Sequence, residues 1–325
     1  MRQICQDLGL TIDRFQPFRD FDARVPTQLA CNVEHAERKF DVVHEIGASM
    51  VLVCSNVQPD ALDDTEQLAE QFHRLTERTG QRGLFIACAA LAWGSRINRF
   101  SQVWDVVRRA NRAHLGMTLD SFHTLALRDD PLPIAQLPAG KIFFVQLADA
   151  PGVNTDVLGH SRHYRCFPGQ GELEITKFTQ AVIDAGYTGP LSLEVFNDKF
   201  RAAPARANAV DAKRSLLWLE DQVRQSQARD GVARKVARFA PPPAPPPTGW
   251  AFVEFAVDPA AGSRLTAWLE TCGFGRMGQH RFRQVALYGQ GEVRLLINLS
   301  AAAAWARRLL RRWPPPALAP SACST

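Results

Sequence analysis

No stretch of the chain approaches the roughly 18 to 20 consecutive apolar residues that a membrane-spanning helix requires. The first twenty residues, broken by Arg2, Asp7, Asp13 and Arg14, lack the apolar run of a signal peptide. Neither membrane insertion nor secretion is therefore expected. Paired cysteines are missing too: Cys5, Cys31, Cys54, Cys88, Cys166, Cys272 and Cys323 are scattered, odd in number and without a C-x-x-C. Such usage predicts reduced thiols in a cytoplasmic protein, mostly buried as small apolar residues. A strong charge of one sign is also absent. Thirty-eight Lys and Arg against 33 Asp and Glu leave +5, and Arg307, Arg308, Arg311 and Arg312 supply most of it in a terminal stretch without an acid. The remaining chain is near neutral and offers no surface suited to nucleic acid. What is present is a globular composition, 46% hydrophobic and 22% charged over 325 residues, long enough for one large domain and a small one.

From residue 8 to 196 a short apolar, β-branched run, a polar loop and an amphipathic stretch recur, which is the βα unit of a parallel sheet. The strand-like runs are Leu10 to Phe15, Met50 to Cys54, Leu84 to Cys88, Gly116 to Leu119, Ile142 to Leu147 and Leu191 to Phe196. Helical period shows in Leu68, Phe72 and Leu75, and again in Val103, Val106 and Val107, with Gly47, Gly80 and Gly186 placed as stops. Periodicity alone does not choose between an open doubly wound sheet and a barrel. Polar residues at strand ends favour the barrel: Asp120, Gln146 and Glu194 each fall near the carboxyl end of a different strand. The expected fold is thus a (β/α)8 TIM barrel, incomplete, since six of the eight strands such a barrel needs are legible. Arg2 to Leu8 reads as the last turns of a helix stopped by Gly9, as if two βα units were missing before it. An unclosed barrel would expose two sheet edges, which predicts poor solubility or self-association into a homo-oligomer.

A final helix is expected over 200–226. Six prolines among residues 241–247 then predict a stiff extended linker. A smaller α+β module begins at Trp250, with a strand at Phe252 to Val257, a helix carrying Leu265, Trp268 and Leu269, a stop at Gly273, and strands near Gln284 to Tyr288 and Val293 to Asn298. After Asn298 the composition turns abruptly to Ala, Arg and Pro, the mark of a frame-shifted or otherwise abnormal end. The expected domains are a barrel at 1–226, a linker at 227–248, a partial module at 249–298 and a low-complexity tail at 299–325.

Asp120, Gln146 and Glu194 offer hard oxygen atoms suited to a divalent ion at a barrel mouth. Taken singly, each has a plain structural role: Asp120 as a helix cap, Gln146 bonded to a loop, Glu194 paired with Arg201 or another surface base. Three at equivalent positions on successive strands make a site the better reading. His123, in Asp120-Ser121-Phe122-His123, is placed to act as a base near neutral pH. The loop Ser161-Arg162-His163-Tyr164-Arg165 leads to a Pro-Gly turn at Pro168-Gly169 and could clamp a carboxylate or phosphate. Gly169-Gln170-Gly171 lacks the spacing of a dinucleotide loop.

The segments LVCSNV, ALAWGSRIN, LDSFHTL, FVQLADAP, SRHYRCFPGQGE and GPLSLEVFND resemble the sugar phosphate isomerase/epimerase-like barrels of xylose isomerase type, most closely the bacterial 3-dehydroshikimate dehydratases. WAFVEFAVD and the strand ending LLIN resemble the opening of a 4-hydroxyphenylpyruvate dioxygenase-like module of the vicinal-oxygen-chelate type. The resemblance implies that Asp120, Gln146 and Glu194 bind a divalent metal (Mg²⁺, Mn²⁺ or Co²⁺), that His123 is a catalytic acid or base, and that Ser161 and Arg165 hold the substrate carboxylate. The implied reaction is dehydration of 3-dehydroshikimate to protocatechuate.

The chain departs from that pattern at Ala89. Relatives carry a fourth ligand, a Glu, in a motif like YEALAWG, where this chain reads Cys88-Ala89-Ala90-Leu91-Ala92-Trp93-Gly94. The second module has His280 as its one histidine and so lacks a two-His, one-carboxylate iron triad. Two other functions remain open at this level: a sugar or hydroxy-keto isomerase of the same barrel family, and a catalytically dead binding fragment.

Overall fold

The structure, a computed structural model, describes residues 1–229, 239–242, 246 and 249–299. It divides into two compact units, Met1–Pro241 and Pro242–Thr325. Much of the expected linker, and the tail from residue 300 onward, lie outside the described residues.

The first unit opens with α1 (Arg2–Asp7), after which Gly9 turns the chain at φ +65°. Strand β1 (Phe15–Phe18) lies downstream of the expected Leu10 to Phe15. Leu10 is more than half exposed, and the residues that find partners are Phe15, against Val51, and Phe18, against Val53. Pro26 opens α2 (Pro26–Ile46), which buries Ala36, Phe40 and Val43 and ends at Gly47 in the left-handed region. After β2 (Met50–Cys54), Asp64 caps α3 (Thr65–Gly80) by accepting from the Glu66 and Gln67 amides, and the expected Leu68, Phe72 and Leu75 form its buried stripe. Gly80 lies within the last turn; the left-handed glycine that releases the chain into the next strand is Gly83. The remaining units are β3 (Phe85–Ala89) with α4 (Phe100–Ala110), β4 (Leu115–Asp120) with the short α5 (Ser121–Leu125), and β5 (Ile142–Leu147) with α6 (Val157–His163) and α7 (Ile175–Asp184). Gly186, at φ +94°, then leads into β6 (Leu191–Leu193), followed by α8 (Asp198–Ala202) and the long α9 (Ala205–Arg229).

The six strands pair in sequence order, all parallel, as an arc of a TIM barrel with β1 and β6 at its edges. β4 is buried along its whole length, as a strand covered on both faces must be. One apolar core joins the strands to α2, α3, α4, α7 and α9 through Phe40, Phe72, Val107, Phe178 and Leu219. Each large side chain taken out of water contributes about 1.5–3 kcal/mol. All parallel strands point their carboxyl ends the same way, so the polar residues at those ends meet on one rim.

The second unit is a four-stranded sheet in the order β7 (Val253–Ala256), β10 (Val293–Asn298), β9 (Val285–Gln290), β8 (Gly275–Gln279), with α10 (Pro259–Thr271) packed through Leu269 onto Tyr288 and Ile297. Gly273 is left-handed, as its stop position requires. Strand β8, Gly-Arg-Met-Gly-Gln, was absent from the expected pattern: it has little apolar alternation and is a mostly exposed edge held by backbone pairing to β9. His280 turns the chain between β8 and β9, its Nδ1 accepting from the Phe282 amide at 3.1 Å.

Candidate active site

The ends of β4 and β5 are locked together before any functional group is considered. Ser121 Oγ donates to the Ala148 carbonyl (2.8 Å) and accepts from the Ala148 amide (2.9 Å), and Asp120 pairs with Gln146 in the ladder. The β6 end joins them, for Glu194 N donates to the Leu147 carbonyl at 3.0 Å. Asp120, Gln146 and Glu194 therefore stand side by side, as expected of three successive strand ends.

Asp120 has two jobs, one for each oxygen. Oδ1 caps α5, accepting from Phe122 N (2.7 Å) and His123 N (3.2 Å), while Oδ2 faces Arg165 Nη1 at 3.0 Å. The same nitrogen lies 3.2 Å from Glu194 Oε2, so one buried guanidinium bridges both acids. Glu194 does not pair with Arg201; its other oxygen accepts from Gln16 Nε2 (3.2 Å), across from β1. Gln146 Nε2 reaches Gln16 Oε1 at 3.4 Å.

The loop after β5 brings Arg165 here. Asp149 and Cys166 exchange backbone hydrogen bonds, Tyr164 bridges to Asn197, and Asn197 Nδ2 donates to the Arg165 carbonyl at 2.9 Å. Asp149 anchors the turn that follows: its carboxylate accepts from the amides of Ala150, Gly169, Gly171 and Leu173. A Cβ at Gly171 would come within 2.4 Å of Asp149 Oδ1, so only glycine allows this approach. Ser161 Oγ accepts from Arg165 Nε (3.2 Å) and Nη2 (2.9 Å). Ser161 and Arg165 are thus brought together as expected, with Arg165 only 1% exposed and turned toward the acids.

His123 is buried against Trp93 and Phe122, at ring separations of 5.1 and 5.9 Å. The Ala92 amide points at its Nδ1 (3.1 Å) and Arg165 Nη2 at its Nε2 (3.2 Å). A neutral imidazole accepts at one nitrogen only, so it accepts from one of these donors while the other faces the ring N–H, and a second ring proton would leave neither donor an acceptor. Burial, with Arg165 opposing the pull of Asp120, pushes the imidazole down to about 4 and leaves it neutral near pH 7. The carboxylates diverge. Burial raises both, but Arg165 and then His123 carry Asp120 to about 2, whereas burial and the nearby Asp120 push Glu194 up to about 7.

These groups line a cleft of ≈ 250 Å³ with an apolar wall of Leu52, Cys54, Ala89 and Leu91. Ala89, at the end of β3, presents only a methyl to it. Arg19, Gln16 and Phe196 also line the cleft, which local pattern does not signal, since β1 forms downstream of the apolar run and Phe196 lies beyond the end of β6. Trp93 lies within ALAWGSRIN, and Arg162 within the basic loop expected to clamp a carboxylate or phosphate.

The donor set fits a hard cation: two carboxylates and an amide, with a positive group already drawn between the acids. Among the described residues no three His, Cys, Asp or Glu side chains are assembled as a metal cage.

Residues 1–222 match the family of xylose isomerase-like TIM barrels, and residues 245–324 match the N-terminal part of hydroxyphenylpyruvate dioxygenase, HPPD. A 3-dehydroshikimate dehydratase of Pseudomonas aeruginosa is 54% identical over 92% of this chain and 47% of its own length. The chain thus spans about half the length of these curated relatives. A solved xylose isomerase-like TIM barrel/4-hydroxyphenylpyruvate dioxygenase fusion protein superposes with a TM-score of 0.79 at 48% identity, covering 96% of this chain and 50% of that one. The IolI protein, solved with a zinc atom, shares the fold at a TM-score of 0.59 and 18% identity, over 69% of this chain and 81% of its own.

Proposed function

The chain belongs to the xylose isomerase-like TIM barrel family, and we propose that within it the chain is a divalent-metal-dependent dehydratase that converts 3-dehydroshikimate to protocatechuate with loss of water. The observation that carries this reading is the meeting of Asp120, Gln146, Glu194 and His123 on one rim of the sheet, in a chain 54% identical to a named dehydratase. We assign the barrel to 1–226, a connector to 227–248, the dioxygenase-like module to 249–298 and a tail to 299–325.

Asp120 Oδ2, Gln146 and Glu194 would hold the ion, Mg²⁺, Mn²⁺ or Co²⁺. When bound it supplies a Lewis acid that draws charge from the ketone oxygen. The protein's part in proton movement falls to His123, the buried imidazole whose Nε2 faces Asp120 Oδ2 at 3.7 Å. A ring held neutral takes the proton from the carbon next to the ketone. The hydroxyl one carbon further then leaves as water, carrying a proton with it, and the remaining ring tautomerises to the aromatic diol. Ser161 and Arg165 border the substrate at its carboxylate end. Held by Ser161 Oγ and by the Glu194 carbonyl, the Arg165 guanidinium would donate to that carboxylate from the cleft wall and orient the ring over His123. Trp93, Leu91 and Leu52 shield the face where charge develops, so electrostatic contacts there gain strength from the exclusion of water.

The test is protocatechuate formation from 3-dehydroshikimate with added Mn²⁺ or Mg²⁺. His123→Ala is expected to lower the rate by about 10²–10⁴-fold; a variant as fast as the parent would remove His123 from the chemistry.

A further inference from the structure

Strands β1 and β6 are the two edges of the sheet and β1 pairs with β2 alone, yet Gln16, on β1, reaches residues at the ends of β5 and β6. Which way its amide faces is set from two sides. Arg14 Nε donates to Gln16 Oε1 at 2.8 Å, and a guanidinium has no atom that accepts. On the other side Gln16 Nε2 donates to Glu194 Oε1 at 3.2 Å. Turned over, the amide would set its NH₂ against a donor and its oxygen against a carboxylate, and both bonds would be lost. Arg14 is itself held in place: its guanidinium lies over the ring of Phe144, 3.6 Å from the centroid, and Phe144 shares a face of β5 with Gln146. A third contact follows from the fixed oxygen. Gln146 Nε2 turns to Gln16 Oε1 at 3.4 Å, which leaves the other end of the Gln146 amide, its carbonyl oxygen, for the rim. Only that end can meet a hard cation.

We propose that Gln16, pinned by Arg14, is a positioning residue for the cation site: it turns the Gln146 amide so that oxygen and not nitrogen faces a divalent ion, and it holds Glu194 Oε1 so that Oε2 stays where Arg165 Nη1 and Asp120 Oδ2 meet. A carboxylate ligand presents oxygen whichever way it turns, but an amide ligand needs a neighbour that chooses its face. A neutral amide makes that choice without adding a third negative charge beside Asp120 and Glu194. Because β1 and β6 share no ladder, the same side chain also ties the two edges at the height of the site. The inference rests on the metal-dependent part of the dehydratase reading.

The experiment is titration of the full chain with Mn²⁺ in the absence of substrate, the free ion being read by electron paramagnetic resonance. Gln16→Leu should weaken Mn²⁺ binding by at least about tenfold. The deciding comparison is made in a Gln146→Glu background, where the ligand has two oxygens and no face to choose. There Gln16→Leu should cost less than about threefold, whereas a merely structural role for Gln16 would cost the same in both backgrounds. Arg14→Met, which frees Gln16 to turn over, should weaken binding by a smaller factor than Gln16→Leu. Unchanged affinity in Gln16→Leu, or an equal loss in the two backgrounds, overturns the proposal, and unchanged affinity in Arg14→Met overturns the part given to Arg14. Protocatechuate formation from 3-dehydroshikimate is followed in the same samples. Mn²⁺ binding that couples Gln16 to Gln146 without turnover keeps this role and ends the dehydratase reading; turnover with uncoupled binding does the reverse. A parent that binds no divalent ion overturns the proposal whatever it turns over.

Discussion

Replacing Arg165 by methionine keeps the apolar stem and removes the cation that pairs directly with both Asp120 and Glu194. Asp120 Oδ1 keeps its two amide donors, but Oδ2 loses its partner at 3.0 Å in a residue 4% exposed. Glu194 suffers less, since with its carboxyl already pushed up to about 7 it takes a proton instead. The cost is therefore dominated by one stranded carboxylate. Breaking a buried pair in this way costs about 3–5 kcal/mol, which for a unit of this size corresponds to a fall in melting temperature of roughly 6–20 °C. Urea and thermal melts of metal-free protein, followed by circular dichroism, measure it. Arg165→Met/Asp120→Asn should recover about half of the loss or more, because the amide oxygen still caps α5 and no charge is stranded. The pH dependence gives a second handle. In the parent, the depressed Asp120 carboxyl contributes stability that is present above the ordinary carboxylate range and is lost as pH falls toward about 2. Arg165→Met forfeits that contribution, so its deficit should shrink on acidification. A deficit below about 1 kcal/mol, or a double variant no more stable than the single, would refute this account of the buried cluster.

Glu194, raised to about 7, carries a proton in the metal-free fold below that pH. Its contribution to metal-free stability should decline as pH rises from the ordinary carboxylate range to about 7, and divalent-ion binding should release close to one proton per ion at about pH 6 and almost none above about pH 8. Calorimetry in buffers of different ionisation enthalpy reads this, and equal release at both would contradict it. Ala89→Glu adds a third carboxylate to the same rim. It should tighten divalent-ion binding by at least about tenfold and destabilise the metal-free chain through like-charge crowding; unchanged affinity would mean that the position 89 side chain does not reach the ion. Asp149→Ala should cost about 1–3 kcal/mol, since four amides lose their acceptor in a partly buried turn and only that of Ala150 is fully buried. By loosening Arg165 it should also lower turnover, and a turnover unchanged in the folded variant would separate that turn from the site.

Local pattern was enough for much of this protein. The stripe of Leu68, Phe72 and Leu75, the left-handed stops at Gly47 and Gly186, and the strand β4 follow from side-chain period and backbone sterics, which neighbouring residues impose on one another. Because parallel strands share a direction, residues at their carboxyl ends could be grouped as Asp120, Gln146 and Glu194 before any coordinates. Other features needed distant partners. Strand β1 forms where Phe15 and Phe18 meet Val51 and Val53, not where the local apolar run lies, and β8 exists because β9 is there to pair with it. Arg165, read as a substrate group, is turned inward by Asp120, 45 residues away, and by a loop stitched to Asp149 and Asn197. Arg19 and Arg162 become a pair of cations beside one cleft only when β1 and α6 are brought to the same rim. Short-range sterics and period 2 or 3.6 are written residue by residue, whereas charge and burial at a site are sums over segments that only the folded chain brings together.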